Sequence, residues 1–304
     1  MRKLVPYLAI FMSMLFWGSS FVLTKYLLDS FAPISIIFFR LFLSSIIFVI
    51  MGLFVYKKKF FLPQSVWLLF IVLSLFEPVI YFVFETYSLK WSDPSVVSVI
   101  ISTIPLFIAI VAYYFLKEKL TRLNFIGVVI SVVGILIMLF PSLMSANMNL
   151  LGILFAFGAV ISAVCYNYVL QKIPSEYPPL LVITWQNLIA LVVFTPLLFL
   201  TNSDQALSTQ FQNLFVLSNL IPLLLLAVFC SSFAFMFYLY ALRAIGTART
   251  SIFSNMIPAV TAVLSFAWLN EQITWNKLLG IVIVLLGITL VQMRTGERKE
   301  PVTV

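Results

Sequence analysis

Ten stretches of this chain, each close to the length of a bilayer crossing and almost free of charge, limit what it can fold into more than any other feature. They cover roughly 5–28, 34–55, 66–89, 94–116, 124–141, 149–171, 178–200, 215–242, 247–269 and 275–293. A helix needs about 20 apolar residues to cross the hydrocarbon layer. Ten such helices use about 200 residues, which leaves short connections and tails but no separate soluble domain. A soluble core cannot hide this much oil: 63% of the 304 residues are apolar and 9% charged, against about 45–50% and 25% in ordinary globular domains. The expected fold is therefore an all-α integral membrane protein of ten transmembrane helices. A cytosolic enzyme, a secreted disulfide scaffold and a disordered chain are excluded. The first run follows Arg2 and Lys3 but is too long for a signal peptide, lacks a small-residue cleavage site and carries Trp17 at its middle, so it reads as a retained span.

The residue inventory removes much chemistry. There is no histidine, hence neither the commonest general base nor the usual metal ligand. Cys165 and Cys230 sit inside apolar runs and read as small buried hydrophobes. Asp29, Asp93 and Asp204 all fall in connections, so no paired intramembrane aspartates exist. No nucleophile elbow and no phosphate-binding glycine loop occurs. No catalytic residue, metal or cofactor is expected, and the chain does not read as an enzyme. The net charge of +8 would suggest nucleic acid for a soluble protein. Here the positive residues cluster in short loops, as membrane topology requires, and no nucleic-acid partner is expected.

Placing the N-terminus in the cytoplasm puts fourteen of the eighteen Lys and Arg residues on that side, among them Lys57, Lys58, Lys59, Lys117, Lys119, Arg122, Lys172, Arg243 and Arg249. Lys25, Lys90 and Lys277 fall outside, and Arg40 lies within a span. The bias predicts that both termini are cytoplasmic.

The chain also matches itself at an offset of 153 residues, with 85–139 lying over 238–292 without a gap. Identities include Tyr87/Tyr240, Pro105/Pro258, Glu118/Glu271, Gly127/Gly280 and Gly134/Gly287. Matched proline, glutamate and glycines at fixed offsets point to a duplication. Five spans per half invert the second half relative to the first. Charge follows: Lys117-Glu118-Lys119 becomes Asn270-Glu271-Gln272, and Val96 becomes Arg249. Lys277 opposite Asn124 is the exception. The expected units are 1–145 and 146–294, with a cytoplasmic tail at 295–304. Inverted repeats are the architecture of many secondary transporters, which rock about a central site.

With these features the chain resembles the drug/metabolite transporter superfamily, and within it the EamA-type proteins with two EamA repeats. The resemblance covers about residues 5–293. It is carried by Phe16-Trp17-Gly18-Ser19-Ser20-Phe21, Arg40-Leu41, Pro105 and Pro258, Leu116-Lys117-Glu118, Leu269-Asn270-Glu271 and the paired glycines. It implies secondary transport of small metabolites, often amino acids, across the plasma membrane, and it names no substrate. Two departures stand out. Ala163 to Tyr168, the counterpart of the first motif, has Cys165 where tryptophan is expected, and the third run carries Glu77-Pro78 and Glu85.

Charges within a bilayer cost about 2.5–3.5 kcal/mol at a helix centre, so the three ionisable residues inside spans are candidates: Arg40, Glu77 and Glu85. At 1.5 Å per residue, Arg40 lies about 9 Å and Glu85 about 6 Å below the same membrane surface. An ion pair is expected, either a structural clasp or an outer gate that takes a substrate carboxylate. Glu77 falls near the midplane with no cation expected at its depth. Desolvation favours its neutral acid there, suited to proton coupling, to a substrate amine, or to a plain interhelical hydrogen bond. Pro78 frees the carbonyl of Ser74 and predicts a kink. Glu77, Tyr81 and Glu85 are spaced to share a helix face.

Trp17, Ser19 and Ser20, with Tyr166 and Asn167 in the matching helix, suit an amphipathic solute or simple close packing. Trp185 and Gln186, followed by Asn187, lie near the depth of Arg40 in the inverted counterpart of the second run, as lining or as interhelical glue. Pro105 and Pro258, with Asn255 beside the latter, predict hinges whose freed carbonyls take hydroxyl partners. Glu118 and Glu271 read as caps or salt bridges. The four glycines form a stripe for close packing or a homodimer contact. The resulting expectation is an alternating-access exporter of a small-molecule solute. A lipid-linked carrier or flippase, a channel and an intramembrane enzyme are the alternatives.

Overall fold

The computed structural model describes residues 4–56, 60–116, 122–144, 149–174, 176–201, 204–246, 250 and 253–295. They are almost entirely helical, and no strand occurs among them. The helices are α1 (Val5–Leu27), α2 (Pro33–Tyr56), α3 (Gln64–Trp91), α4 in two pieces (Pro94–Ser102 and Ile104–Leu116), α5 (Arg122–Met144), α6 (Leu150–Leu170), α7 (Pro179–Thr201), α8 (Leu217–Ile245), α9 (Met256–Leu269) and α10 (Trp275–Thr295). By length and composition α1 to α8 each contain a stretch able to cross a membrane, and α9 and α10 are shorter apolar helices. The protein is thus a multi-pass membrane protein.

Burial is distributed as a bilayer dictates. Large apolar side chains point outward, among them Phe54 at 79% and Leu200 at 80% exposure, while Ser13, Ser44, Thr86, Ser131 and Thr184 are fully enclosed. Lipid gives no hydrophobic drive for helices to associate, so small residues and hydrogen bonds between helices must hold the bundle. Ser13 donates to the Ala234 carbonyl (2.8 Å), Ser88 to that of Gly152 (2.7 Å) and Thr261 to that of Gly18 (2.9 Å).

The most extensive pairing is between α5 and α10, where the glycine stripe is consumed within the chain. A Cβ on Gly127 would lie 2.6 Å from the Gly287 carbonyl, and one on Gly280 2.7 Å from that of Gly134. Between them Ser131 donates to the carbonyl of Val284 at 3.3 Å. These two residues are 153 positions apart, the offset of the sequence repeat.

The α1–α2, α3–α4, α7–α8 and α9–α10 connections meet at one end of the bundle. Lys25 Nζ donates to the carbonyls of Leu89 (2.6 Å) and Ser92 (3.1 Å). Lys277 bridges Asp93 (2.6 Å) and Glu271 (3.0 Å). Glu271 also accepts from the Ser95 hydroxyl, so it caps α4 and joins an ion-pair cluster, as expected. Its repeat counterpart Glu118 lies outside the described residues, as do the lysines at 57–59, 117 and 119 and Arg249.

Three features depart from the sequence reading. A polar surface helix, Asp204–Leu214, occupies what the apolar pattern leaves as a connection. Its Gln210 accepts from the Ala32 amide (3.0 Å) and its Asn213 donates to the Ser30 carbonyl (2.7 Å), so it straps the α1–α2 turn. The ninth apolar run does not form one helix from 247: residues 254–255 make a turn, and α9 begins at Met256. The helix α8 opens into a wider turn at Leu225–Phe233, whereas the wider turn of α3 at Leu75–Ile80 is the break expected from Pro78.

Candidate functional site

The wide turns of α3 and α8 face the same narrow cavity. Its polar lining is Glu77, Tyr166, Gln186, Asn187 and Ser231, set among Phe82 and Phe235. The break in α3 has a local cause. Proline cannot donate to the helical ladder, and Glu77 before Pro78 adopts extended angles (φ −143°, ψ 121°). The Glu77–Pro78 peptide bond is cis. The carbonyls that find partners on other helices are not that of Ser74. Phe76 accepts from Ser162 of α6 (2.6 Å), and Glu77 accepts from the Gln186 amide of α7 (3.0 Å). The Phe76 carbonyl also accepts from the Tyr81 amide within α3, so it is the Gln186 bond to the Glu77 carbonyl whose loss would strand a carbonyl, at a cost of about 1–3 kcal/mol.

Arg40, 3% exposed, lies next to this cavity. Its Nη1 is 3.8 Å from Glu85 Oε2, the ion pair expected from depth. Its Nε donates to Ser231 Oγ at 3.0 Å, and its guanidinium lies 4.0 Å from the centre of the Phe82 ring. Ser231 belongs to α8 and Arg40 to α2, so the contact ties the two halves of the chain together. Glu77 makes no ion pair among the described residues. Tyr81 and Glu85 share a face of the helix that resumes after Pro78, and the extended residue at position 77 takes Glu77 out of that helical register. Tyr81 packs against Phe82 (centroids 5.9 Å apart) and is absent from the lining.

The other candidates fall into several positions. Gln186 and Asn187 line the cavity, and Asn187 also donates to Ser44 of α2 at 3.2 Å. Trp17 stands one layer back, packed on Phe235 (5.0 Å) and Tyr238 (5.1 Å). Ser19 and Ser20 close hydrogen bonds to carbonyls of their own helix, as does Asn167 to Ala163. Gly18 packs against Val260 of α9, which favours close packing for this stretch. Trp185 lies toward the opposite end from Lys277, donating to the Phe60 carbonyl (2.9 Å) against the Trp67 ring. Asn255 donates to Thr289 of α10 at 3.0 Å. At Pro105 the chain turns at Thr103, whose hydroxyl, with that of Ser102, serves carbonyls one turn back. Pro258 is buried in the first turn of α9.

Sequence reasoning missed Ser231, Phe82 and Phe235. Nothing in the sequence singles out Ser231, since adjacent serines in apolar runs also occur at Ser19-Ser20 and Ser44-Ser45. Phe82 and Phe235 were reachable, because the 153-residue offset sets them opposite each other as identical residues.

Comparison with known proteins agrees with this architecture. The sequence profile of the EamA-like transporter family matches residues 4–140 and 150–293. An uncharacterized transporter of Archaeoglobus fulgidus is 27% identical over 280 residues, covering 91% of this chain and 94% of its own. The uncharacterized transporter YoaV of Bacillus subtilis is 23% identical, covering 94% and 96%. The WAT1-related protein At3g02690, chloroplastic, of Arabidopsis thaliana is 25% identical, covering 93% and 68%. One experimentally solved chain superposes with a TM-score of 0.68 at 16% identity, covering 97% of this chain and 99% of its own, and so shares the fold. Profile and relatives both point to transport and away from catalysis: the chain belongs to the EamA-like transporter family.

Proposed function

We propose that this protein is a secondary transporter of the plasma membrane that exports small amphipathic metabolites bearing an amine, amino acids being the first class to assay. All ten helices cross the bilayer, both termini face the cytoplasm, and residues 1–145 and 146–294 form inverted halves that rock about the central cavity. One observation carries this reading. The cavity lies where the broken segments of α3 and α8 face each other, and a single acid, Glu77, stands in it without an ion-pair partner among the described residues. Interrupted helices at the contact of two repeats are where transporters of this architecture hold their solutes.

Glu77 exchanges a proton as access alternates, which couples export to the proton gradient. Arg40, Glu85 and Ser231 form the clasp that holds the halves in register beside the site. The test is flux into and out of proteoliposomes carrying the purified chain, under imposed pH gradients. Wild-type protein should move labelled substrate in response to the gradient. Glu77→Gln should fold and lose the pH dependence. Unchanged pH dependence in that variant would end the coupling claim, and flux at channel rates without counterflow would end the carrier reading.

A further inference from the structure

We infer that the cavity selects a monovalent organic cation, an amine held as its ammonium on Glu77, and that a substrate carboxylate has no partner there. This rests on the transport reading and narrows its substrate class.

The argument begins with what is already engaged. Arg40 is the only basic side chain beside the cavity among the described residues, and three of its faces are occupied, by Ser231, Glu85 and Phe82. Arg40 and Glu85 oppose each other's charge, so the charge available to a solute is that of Glu77. The remaining polar lining is neutral: Gln186, Asn187, Tyr166 and Ser231. A carboxylate entering this space would give up its hydration and find no cation that is not already engaged, so its charge would go uncompensated. An ammonium would meet an opposite charge among uncharged polar groups, beside the Phe235 ring.

The groups facing Glu77 are few. They are Arg40 from α2, Tyr81 and Glu85 from α3 itself, Tyr166 from α6 and Tyr238 from α8, while α7 contributes the neutral Gln186 and Asn187. No second free acid is among them. Binding is then an exchange. The neutral carboxyl gives its proton to water as the ammonium arrives, and one positive charge replaces another. With one carboxyl involved, a full cycle trades one proton for one monovalent cation and moves no net charge. Flux should follow the pH gradient and ignore the membrane potential.

The test uses three probes that share a ring: phenethylamine, phenylalanine and 3-phenylpropionate. The full chain is held in nanodiscs, and thermal stabilisation by each probe is measured. Phenethylamine should stabilise the protein and bind about tenfold or more tightly than phenylalanine, with no response to 3-phenylpropionate. Its binding should weaken as the pH is lowered, because protons compete for the same carboxyl. Glu77→Gln should abolish the response while melting near the wild-type temperature without ligand. If that variant does not fold, the pH competition in the wild type decides. Equal binding of the zwitterion, no response to the amine, an amine response that survives in folded Glu77→Gln, or pH-independent binding would each overturn the inference. Counterflow of labelled probes in proteoliposomes separates the two claims. Phenylalanine counterflow without amine binding overturns this inference and leaves transport standing. Amine binding without counterflow supports the recognition and overturns the transport reading.

Discussion

Arg40 shows how a charge persists inside a lipid-facing bundle. Its guanidinium has an opposite charge, a hydroxyl acceptor and a ring face, and all three are supplied by other helices or by a distant part of the chain. Removing one partner of a buried pair leaves the other uncompensated, which costs about 3–5 kcal/mol. Glu85→Ala should therefore lower stability by about that amount, read as the midpoint of unfolding in detergent. The double variant Arg40→Met/Glu85→Leu should recover most of the loss, because two apolar residues of similar volume leave no stranded charge. The existence of this pair was legible in the sequence, since depth follows from counting residues along two helices. Its third partner, Ser231, was not, because nothing in α2 or α3 indicates which serine of α8 will face them.

At the scale of the element, α3 is the informative case. Pro78 announces a break, but the donors that stabilise it, Ser162 and Gln186, come from α6 and α7. Gln186→Leu should remove the bond to the Glu77 carbonyl and destabilise the protein by about 1–3 kcal/mol, and a denaturation midpoint close to that of the wild type would show that the break holds itself open. The α5–α10 pair makes the opposite demand, for contact without any side chain. At Gly287 an added Cβ would come 2.5 Å from the Gly127 carbonyl, so Gly287→Val must push the two helices apart. Overpacking of this kind costs about 1–3 kcal/mol. The variant should show a lowered melting temperature, while valine in place of Gly246, where nothing lies within 4 Å, tests only backbone strain. The glycine spacing was readable in advance; that the stripe is met by its own repeat copy is a fact of packing.

For the whole molecule, the cluster of Asp93, Ser95, Glu271 and Lys277 joins the α3–α4 and α9–α10 connections at one end. In the alternating-access cycle proposed for this chain, that end must separate. Lys277→Ala should favour the separated form, seen as faster labelling of a Phe82→Cys reporter by a membrane-impermeant thiol reagent applied from outside. Labelling at the wild-type rate would show that the cluster does not restrain opening. Reporter fusions at the C-terminus and between α5 and α6 should place the first in the cytoplasm and the second outside.

Apolar run lengths, the scarcity of charge and the one-sided placement of lysine and arginine determined by themselves that this chain is a helical membrane protein and which way it is expected to cross. These are properties of single residues summed along a segment, since transfer into lipid depends on composition and length rather than on partners. The internal match determined where symmetry-related residues must be sought. Only the tertiary structure decided which polar residues meet. It put Gln186 on the Glu77 carbonyl, turned Asn167 and Ser20 back onto their own helices and set Trp17 one layer behind the cavity. Such pairings depend on the rotation and crossing of helices and on where a helix breaks. Many rotations of an almost uniformly apolar helix look alike in its sequence, and a few close contacts between helices settle which one is adopted.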